Sequence, residues 1–186
     1  MTTTLVILGI IGGLAVYVIG VYNALVKARQ MVKEAWSGID VQLKRRADLI
    51  PNIVEAIKGY VGHEKDTLRE VTEMRTRVQA VPEGDVAARA AAEGLLSQAL
   101  GKLMAVAEAY PDLKANQNFL QLQDTLDKIE GEVQMSRRYY NGAARDLNVK
   151  VESFPSNFVA NYFRFTMAEY FEIETASDRE VPQVKF

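Results

Sequence analysis

Residue types that usually carry catalysis or bind metals are scarce in this sequence. It contains no cysteine and one histidine, His63, in the segment Gly62-His63-Glu64-Lys65. A metal site needs several converging ligands, and the di-metal sites of helical bundles use paired Glu-x-x-His motifs. Tyr60 occupies the position three residues before His63. We therefore expect no metal site and interpret His63 as a surface or helix-capping residue.

Motifs for phosphate binding and for activated nucleophiles are absent from the sequence. It contains no Gly-x-x-x-x-Gly-Lys, no Gly-x-Ser-x-Gly and no Gly-x-Gly-x-x-Gly pattern. The net charge of −2 provides no broad basic field for a nucleic acid. We predict a protein without enzymatic activity, cofactor, small-molecule substrate or nucleic-acid partner.

Charged residues close to apolar helix faces form a second group of candidates. Such a group is interpreted either as a ligand-binding set or as a ladder of half-buried pairs that fixes the register of a helical bundle. We favour the ladder, although the net stabilisation from such pairs is often small. The predicted register residues are Arg29, Asp40, Arg46, Asp48, Asn116, Arg137 and Asn141.

The N-terminal element is long and apolar enough to be a membrane span. Only apolar residues and glycine occur from Leu5 to Tyr22, and the first charged residue is Lys27. This run meets the roughly 18-residue minimum for crossing a bilayer, so we predict a transmembrane helix over residues 5–24. A cleaved signal peptide is the alternative. We favour a retained anchor, because residues 1–4 lack the basic side chains of a signal peptide.

Glycines within the predicted span indicate a helix-packing face. Gly9, Gly13 and Gly20 are separated by four and seven residues. A Gly-x-x-x-Gly face lets two membrane helices approach closely, although glycine is common in membrane helices in any case. The spacing favours a homo-oligomer that associates through the span.

The orientation of the span follows from the distribution of positive charge. Lys27, Arg29 and Lys33 come directly after the span, whereas no Lys or Arg precedes it. The positive-inside rule places such residues in the cytoplasm. We predict a single-pass protein of the cytoplasmic membrane, in contact with lipid, with residues 1–4 outside and the remainder inside.

Apolar residues after the span recur at helical spacing. The first stripe comprises Leu25, Val32, Trp36, Ile39, Leu43 and Ile50. The pattern predicts an all-α fold, in which the transmembrane helix is followed by a long antiparallel bundle of three to four helices over residues 25–171 and a polar tail over 172–186.

Prolines and turn residues divide the predicted bundle. Pro51 predicts a kink or a break in the first helix, because proline lacks a backbone donor. The segment 81–84 predicts a turn, with the next helix beginning near Asp85. Asp112 is a predicted cap of the following helix, which extends to about Val151.

The C-terminal part of the predicted bundle is rich in aromatic residues. We expect most of these side chains to lie in the core, with an exposed patch for a partner or a lipid interface as the alternative. They are Tyr139, Tyr140, Phe154, Phe158, Tyr162, Phe163, Phe165, Tyr170 and Phe171.

Several long stretches carry a more specific signal than any short motif. They are residues 22–26, 35–52, 58–60, 63–64, 109–116, 121–123, 137–141 and 154–156. They include Arg137-Arg138-Tyr139-Tyr140-Asn141 and Phe154-Pro155-Ser156. In these stretches the chain resembles the LemA family of bacterial membrane-anchored helical proteins. The resemblance implies an N-terminal membrane helix and a cytoplasmic helical bundle, and it supplies no catalytic residues.

Two hypotheses about function follow from the anchor, the bundle and the resemblance. The first is a non-enzymatic scaffold that self-associates and organises membrane or partner proteins. The alternative is an adaptor or regulator of a membrane protease or of an envelope signalling protein, in which the bundle binds one dedicated partner.

Overall fold

The computed structural model describes residues 1–60 and 64–172, and the regular secondary structure in those ranges is helical. The elements are α1 (Thr2–Lys58), α2 (Lys65–Gln79), α3 (Val86–Glu108), α4 (Pro111–Lys114), α5 (Gln117–Glu152) and α6 (Ser156–Tyr162). The predicted all-α fold, a long N-terminal apolar helix followed by a helical bundle, is confirmed. His63 and residues 173–186, which form nearly all of the predicted polar tail, lie outside the described residues.

Helix α1 continues through Pro51 to Lys58, so of the kink or break predicted at Pro51, the break does not occur. Proline removes the donor that would bond the carbonyl of the residue four positions earlier, here Ala47. In the structure the Nε–H of Arg75, on α2, donates to that carbonyl at 2.8 Å. Because Pro51 is also exposed, its ring displaces no core side chain.

The ends of the later helices follow local capping rules. The Asp85 side chain accepts a hydrogen bond from the Ala88 amide, so the predicted start of α3 is confirmed. The prediction that Asp112 caps the next long helix is wrong, since Asp112 lies in the first turn of the short α4. Asn116 caps α5 instead, because its side-chain oxygen accepts from the Asn118 and Phe119 amides at 2.8 and 3.3 Å.

The chain divides into two compact units. Unit 2 comprises residues 40–135 together with Phe171 and Glu172. Within it the α1 and α5 segments run antiparallel, since Arg46 contacts Glu130, whereas Tyr60, just after α1, contacts Asn116, just before α5. Its core is aliphatic, and the fully buried side chains include Ile50, Ile53, Ile57, Val71, Leu96, Leu103 and Leu113. Each such side chain contributes about 1.5–3 kcal/mol through burial.

Unit 1 comprises residues 1–39 and 136–170. One buried cluster of this unit consists of Leu25, Ala28, Leu147, Val159, Ala160 and Phe165. Beside it the rings of Trp36 and Tyr140 meet edge to face, with their centroids 5.6 Å apart. The short α6 therefore packs on the part of α1 that directly follows the predicted span.

Candidate functional site

A buried ionic network in unit 2 contains the most polar part of the bundle interior. We call Asp40, Arg46, Arg89, Glu93 and Glu130 the arginine network. The guanidinium of Arg46 donates to both carboxylate oxygens of Glu130, at 2.7 and 3.0 Å, and to the carboxylate of Glu93. Arg89 donates to Glu93 at 3.2 Å and to Asp40 at 3.1 Å. The network thus joins α1, α3 and α5.

The centre of the arginine network is withdrawn from solvent. The side chains of Arg46 and Glu93 are 2% and 1% exposed, whereas that of Glu130 is 39% exposed. Burial by itself lowers the pKa of the Arg46 guanidinium, but the charges of Glu93 and Glu130 outweigh it and raise that pKa above its ordinary value. Arg46 is therefore a permanent cation, and its chemistry is that of a structural ion pair.

The other predicted register residues lie in different surroundings. Asp48 is exposed and lines an open groove of about 330 Å³ beside Asp40. The guanidinium of Arg29 lies 4.9 Å from the ring centroid of Phe165 in unit 1, within range of a cation–π contact. Arg137 and Asn141 are half-buried on α5. Asn116 donates to the Tyr60 hydroxyl at 2.8 Å in addition to capping α5.

Sequence reasoning missed Glu93, which is the buried partner of Arg46. Its neighbours Ala92 and Gly94 are buried as well, as are Ala90 and Leu96 on the same face of α3. A single carboxylate within an apolar helix face is a signal for a buried ion pair, because an unpaired charge there would be too costly.

Asn148 was also missed, and it holds the C-terminal segment of unit 1 on α5. The buried Asn148 side chain donates to the Ala168 carbonyl at 2.9 Å and accepts from the Ala168 amide at 2.7 Å. The Tyr140 hydroxyl donates to the Glu169 carbonyl at 2.8 Å. Burial and then the charge of Glu169 raise the pKa of the Tyr140 hydroxyl. These bonds replace those that a strand or helix would supply to the segment.

The N-terminal part of α1 is long and apolar enough to cross a membrane, and none of its most apolar 18-residue window is buried. Apart from adjacent residues and the local helix backbone, no atom lies within 4 Å of the position that a Cβ would occupy at Gly9, Gly13 or Gly20. Val18 and Val21 are half-buried, because they pack against the core of unit 1. The glycine face is thus open, whereas the last turns of the apolar run contact the rest of unit 1.

The expectation that most C-terminal aromatic residues lie in the core is wrong. Tyr140, Phe165 and Phe171 are buried, but the other six are exposed. Four of these six, Phe154, Phe158, Tyr162 and Phe163, occur within ten residues around α6, and we call them the aromatic surface. Helix α6 is only seven residues long. It buries the small side chains of Val159 and Ala160 against α1, and its large aromatic side chains remain exposed.

Comparison with known proteins decides the family. The family model described as LemA family matches residues 35–186. The chain belongs to the LemA family. The resemblance seen in the sequence is thereby confirmed, and it rests on the bundle, because the matched residues begin after the predicted span.

Curated relatives of this LemA-family chain are distant and longer. Magnetosome protein MamQ 2 of Paramagnetospirillum magneticum is 25% identical over 184 residues, which cover 86% of this chain and 68% of that protein. Protein LemA of Metamycoplasma hominis is 28% identical over 142 residues, 76% of this chain and 64% of that protein. Magnetosome protein MamQ of Magnetospirillum gryphiswaldense is 23% identical over 189 residues, 88% of this chain and 70% of that protein. None of these names specifies a reaction.

In this LemA-family chain the charged side chains of the arginine network bind one another. In residues 1–60 and 64–172, no group of three or more His, Cys, Asp and Glu side chains is arranged to hold a metal ion. The carboxylates of the arginine network are each engaged by a guanidinium. The arrangement suits a structural role, and family membership together with the apolar helix supports a membrane-associated helical protein.

Proposed function

We propose that this LemA-family chain is a non-enzymatic, membrane-anchored scaffold that self-associates through its span and organises membrane or partner proteins. The observation that carries the proposal is the exposed apolar helix with an open glycine face, continuous with a bundle whose buried charges are paired. A paired interior supports a structural body. The exposed span provides a surface that lipid and a second helix would cover.

Retention of the span is supported by the packing of unit 1. Val18 and Val21 lie within the predicted span over residues 5–24 and pack against the unit 1 core. Removal of residues 1–24 as a signal peptide would remove both side chains from that cluster. We therefore propose that the segment stays in the mature protein as its anchor.

Self-association is tested with the full chain in detergent, by light scattering and electron microscopy. We expect an oligomer that shifts toward monomer in Gly9→Leu/Gly13→Leu, because leucine side chains would separate two closely packed helices. Ala15→Leu is the control. Ala15 is exposed in the same span, but it lies on the side of the helix away from Gly9, Gly13 and Gly20. A shift in the double variant with no shift in the control supports the scaffold.

A monomer in the unchanged chain would contradict the scaffold. The runner-up, an adaptor for one membrane protease or envelope signalling protein, would then predict a stoichiometric second protein after mild purification. A scaffold predicts that the chain co-purifies mainly with itself.

The orientation is a separate proposal. Lys27, Arg29 and Lys33 support a cytoplasmic bundle and an external N-terminus. Since the chain has no cysteine, Thr3→Cys and Met135→Cys each introduce one labelling site. In intact cells, a membrane-impermeant maleimide should label the variant at residue 3 and spare the variant at exposed Met135. The reverse pattern would place the bundle outside.

A further inference from the structure

We propose that the aromatic surface around α6 lies in the lipid–water interface of the same membrane that the span crosses. The helix would then rest on the bilayer as a second, monotopic contact beside the transmembrane anchor. This inference rests on the proposed retention of the span, and it deepens that proposal by assigning a lipid-contacting role to a defined part of unit 1.

The exposure of these rings is the first observation. Phe154, Phe158 and Tyr162 are 78%, 67% and 81% exposed, and Phe163 is 43% exposed. The rings form contiguous pairs, with 5.9 Å between the centroids of Phe154 and Phe158 and 5.0 Å between those of Tyr162 and Phe163. Single exposed apolar residues are ordinary, but contiguous apolar patches mark surfaces for a partner or a membrane.

The height of the aromatic surface along α1 is the second observation, and it selects the membrane. The ring of Phe163 contacts that of Tyr22 with 4.7 Å between centroids. Tyr22 ends the uninterrupted apolar run, and Lys27 is the first charged residue after it. At 1.5 Å per residue these two positions differ by about 7–8 Å along the helix axis. The Tyr162–Phe163 end of the aromatic surface thus lies at the level where α1 leaves the hydrocarbon.

The half-buried residues Val18 and Val21 of α1 indicate the same depth in the membrane for the protein that packs on them. Val18 and Val21 belong to the predicted span, yet they pack against the core that contains Val159 of α6. Val18 precedes residue 24, the predicted end of the span, by about 9 Å of helix. Interfacial helices bury their apolar faces about 5–10 Å into the headgroup and acyl boundary. The protein that packs on Val18 therefore reaches the depth at which such helices bind.

The chemistry of the surface fits the interface better than the bilayer centre. Tyrosine rings at membrane interfaces place an apolar body toward the acyl chains and a hydroxyl toward the headgroups. Arg164 directly follows the aromatic surface in sequence and is exposed, and Lys27 directly follows the span. Both cations are available to anionic headgroups. A zwitterionic bilayer would thus bind the surface, and anionic lipid would strengthen the contact.

The experiment uses the full, cysteine-free chain with a single Phe158→Cys substitution, labelled with an environment-sensitive fluorophore. Phe158 is exposed, so the substitution removes no core packing. Leu120→Cys is the matched control, because Leu120 is 48% exposed on α5 within unit 2. Tyr162→Cys provides a second, independent site on the aromatic surface. The proteins are reconstituted in phosphatidylcholine vesicles with and without phosphatidylglycerol, some of which carry a depth-calibrated quencher on the acyl chain.

We expect the fluorophore at residues 158 and 162 to emit at shorter wavelength. We also expect its quenching by the labelled lipid to be at least about threefold stronger there than at residue 120. Aqueous-type emission at both aromatic positions, in vesicles that still float with bound protein, would overturn this inference and leave the anchor intact. Protein that fails to float with the vesicles would overturn the anchor and this inference together. Excimer formation by pyrene-labelled Phe158→Cys without lipid quenching would assign the surface to a second copy of the chain and also overturn the inference.

Discussion

Arg75 donates its Nε–H to the carbonyl oxygen of Ala47, the acceptor that Pro51 leaves without its usual helical donor. The Arg75 side chain, on α2, thereby completes the hydrogen bonding of α1. Although the sequence predicts a kink or a break at Pro51, α1 continues to Lys58. A proline in a helix need not end it when a neighbouring helix supplies the missing donor.

Arg75→Met should lower the free energy of unfolding by about 1–2 kcal/mol, because the carbonyl of the buried Ala47 loses its donor. In the Pro51→Ala background, Arg75→Met should lower the free energy of unfolding by less, since the amide of residue 51 then donates to the Ala47 carbonyl. Chemical denaturation of the full chain in detergent measures the coupling as a double-mutant cycle.

Arg69→Met is the control for that cycle. Arg69 is on the same helix, and its side chain is 71% exposed in pairs with Asp66 and Glu73. Its loss should change stability by no more than about 1 kcal/mol and show no coupling to Pro51. If Arg75→Met lowered the free energy of unfolding equally in the unchanged chain and in the Pro51→Ala background, Arg75 would not be replacing the donor that Pro51 lacks.

Arg46→Met should be the most damaging single change in the arginine network, at about 3–5 kcal/mol, because the buried Glu93 carboxylate loses its buried guanidinium partner and keeps only Arg89. Glu93→Met should cost a similar amount, because the buried Arg46 guanidinium then keeps only the half-exposed Glu130. The double variant should be less destabilised than the sum of the two, since it removes both buried charges. Thermal unfolding followed by circular dichroism measures all three.

Arg45→Met is the neighbouring control. Arg45 pairs with Glu132, but the side chains are 53% and 41% exposed. This pair should contribute no more than about 1 kcal/mol. If Arg45→Met were as destabilising as Arg46→Met, burial would not explain the importance of the network.

Asn116→Ala should destabilise the full chain by about 1 kcal/mol, because the start of α5 loses its side-chain cap. Asp112→Ala, at the position that sequence reasoning assigned as the cap, should cost less. Denaturant midpoints of the two variants decide between the positions, and a larger loss at Asp112 would restore the original assignment.

Tyr140→Phe should reduce stability at neutral pH by about 1 kcal/mol, because the Glu169 carbonyl loses a donor. The raised pKa of Tyr140 means that folding favours its neutral form. Its stabilising contribution is therefore complete below the ordinary tyrosine pKa of about 10 and is lost as the pH rises through the higher folded value. Tyr140→Phe should weaken this alkaline loss.

Tyr139→Phe provides the comparison for the pH series, since Tyr139 is adjacent in sequence but 53% exposed. Its stability profile should follow that of the unchanged chain from neutral to alkaline pH. An alkaline loss that persists fully in Tyr140→Phe would assign the titration to another group.

Local patterns predicted much of the fold. The apolar run before Lys27, the repeat of apolar residues at helical spacing and the cap at Asp85 each depend on residues close in sequence. Such features are readable because helix formation and membrane insertion respond to composition and periodicity within one segment. Arg46 was identified as a polar residue of the bundle by the same reasoning.

The sequence by itself determined that this is an all-α chain of the LemA type with a potential membrane span. Only the tertiary structure decided that Arg46 pairs with Glu93 and Glu130, 47 and 84 residues away, because such pairs depend on how helices rotate against one another. It also decided which aromatic rings are exposed. The small face of α6 is filled by Val159 and Ala160, and the larger rings are left at the surface, with Phe163 beside Tyr22.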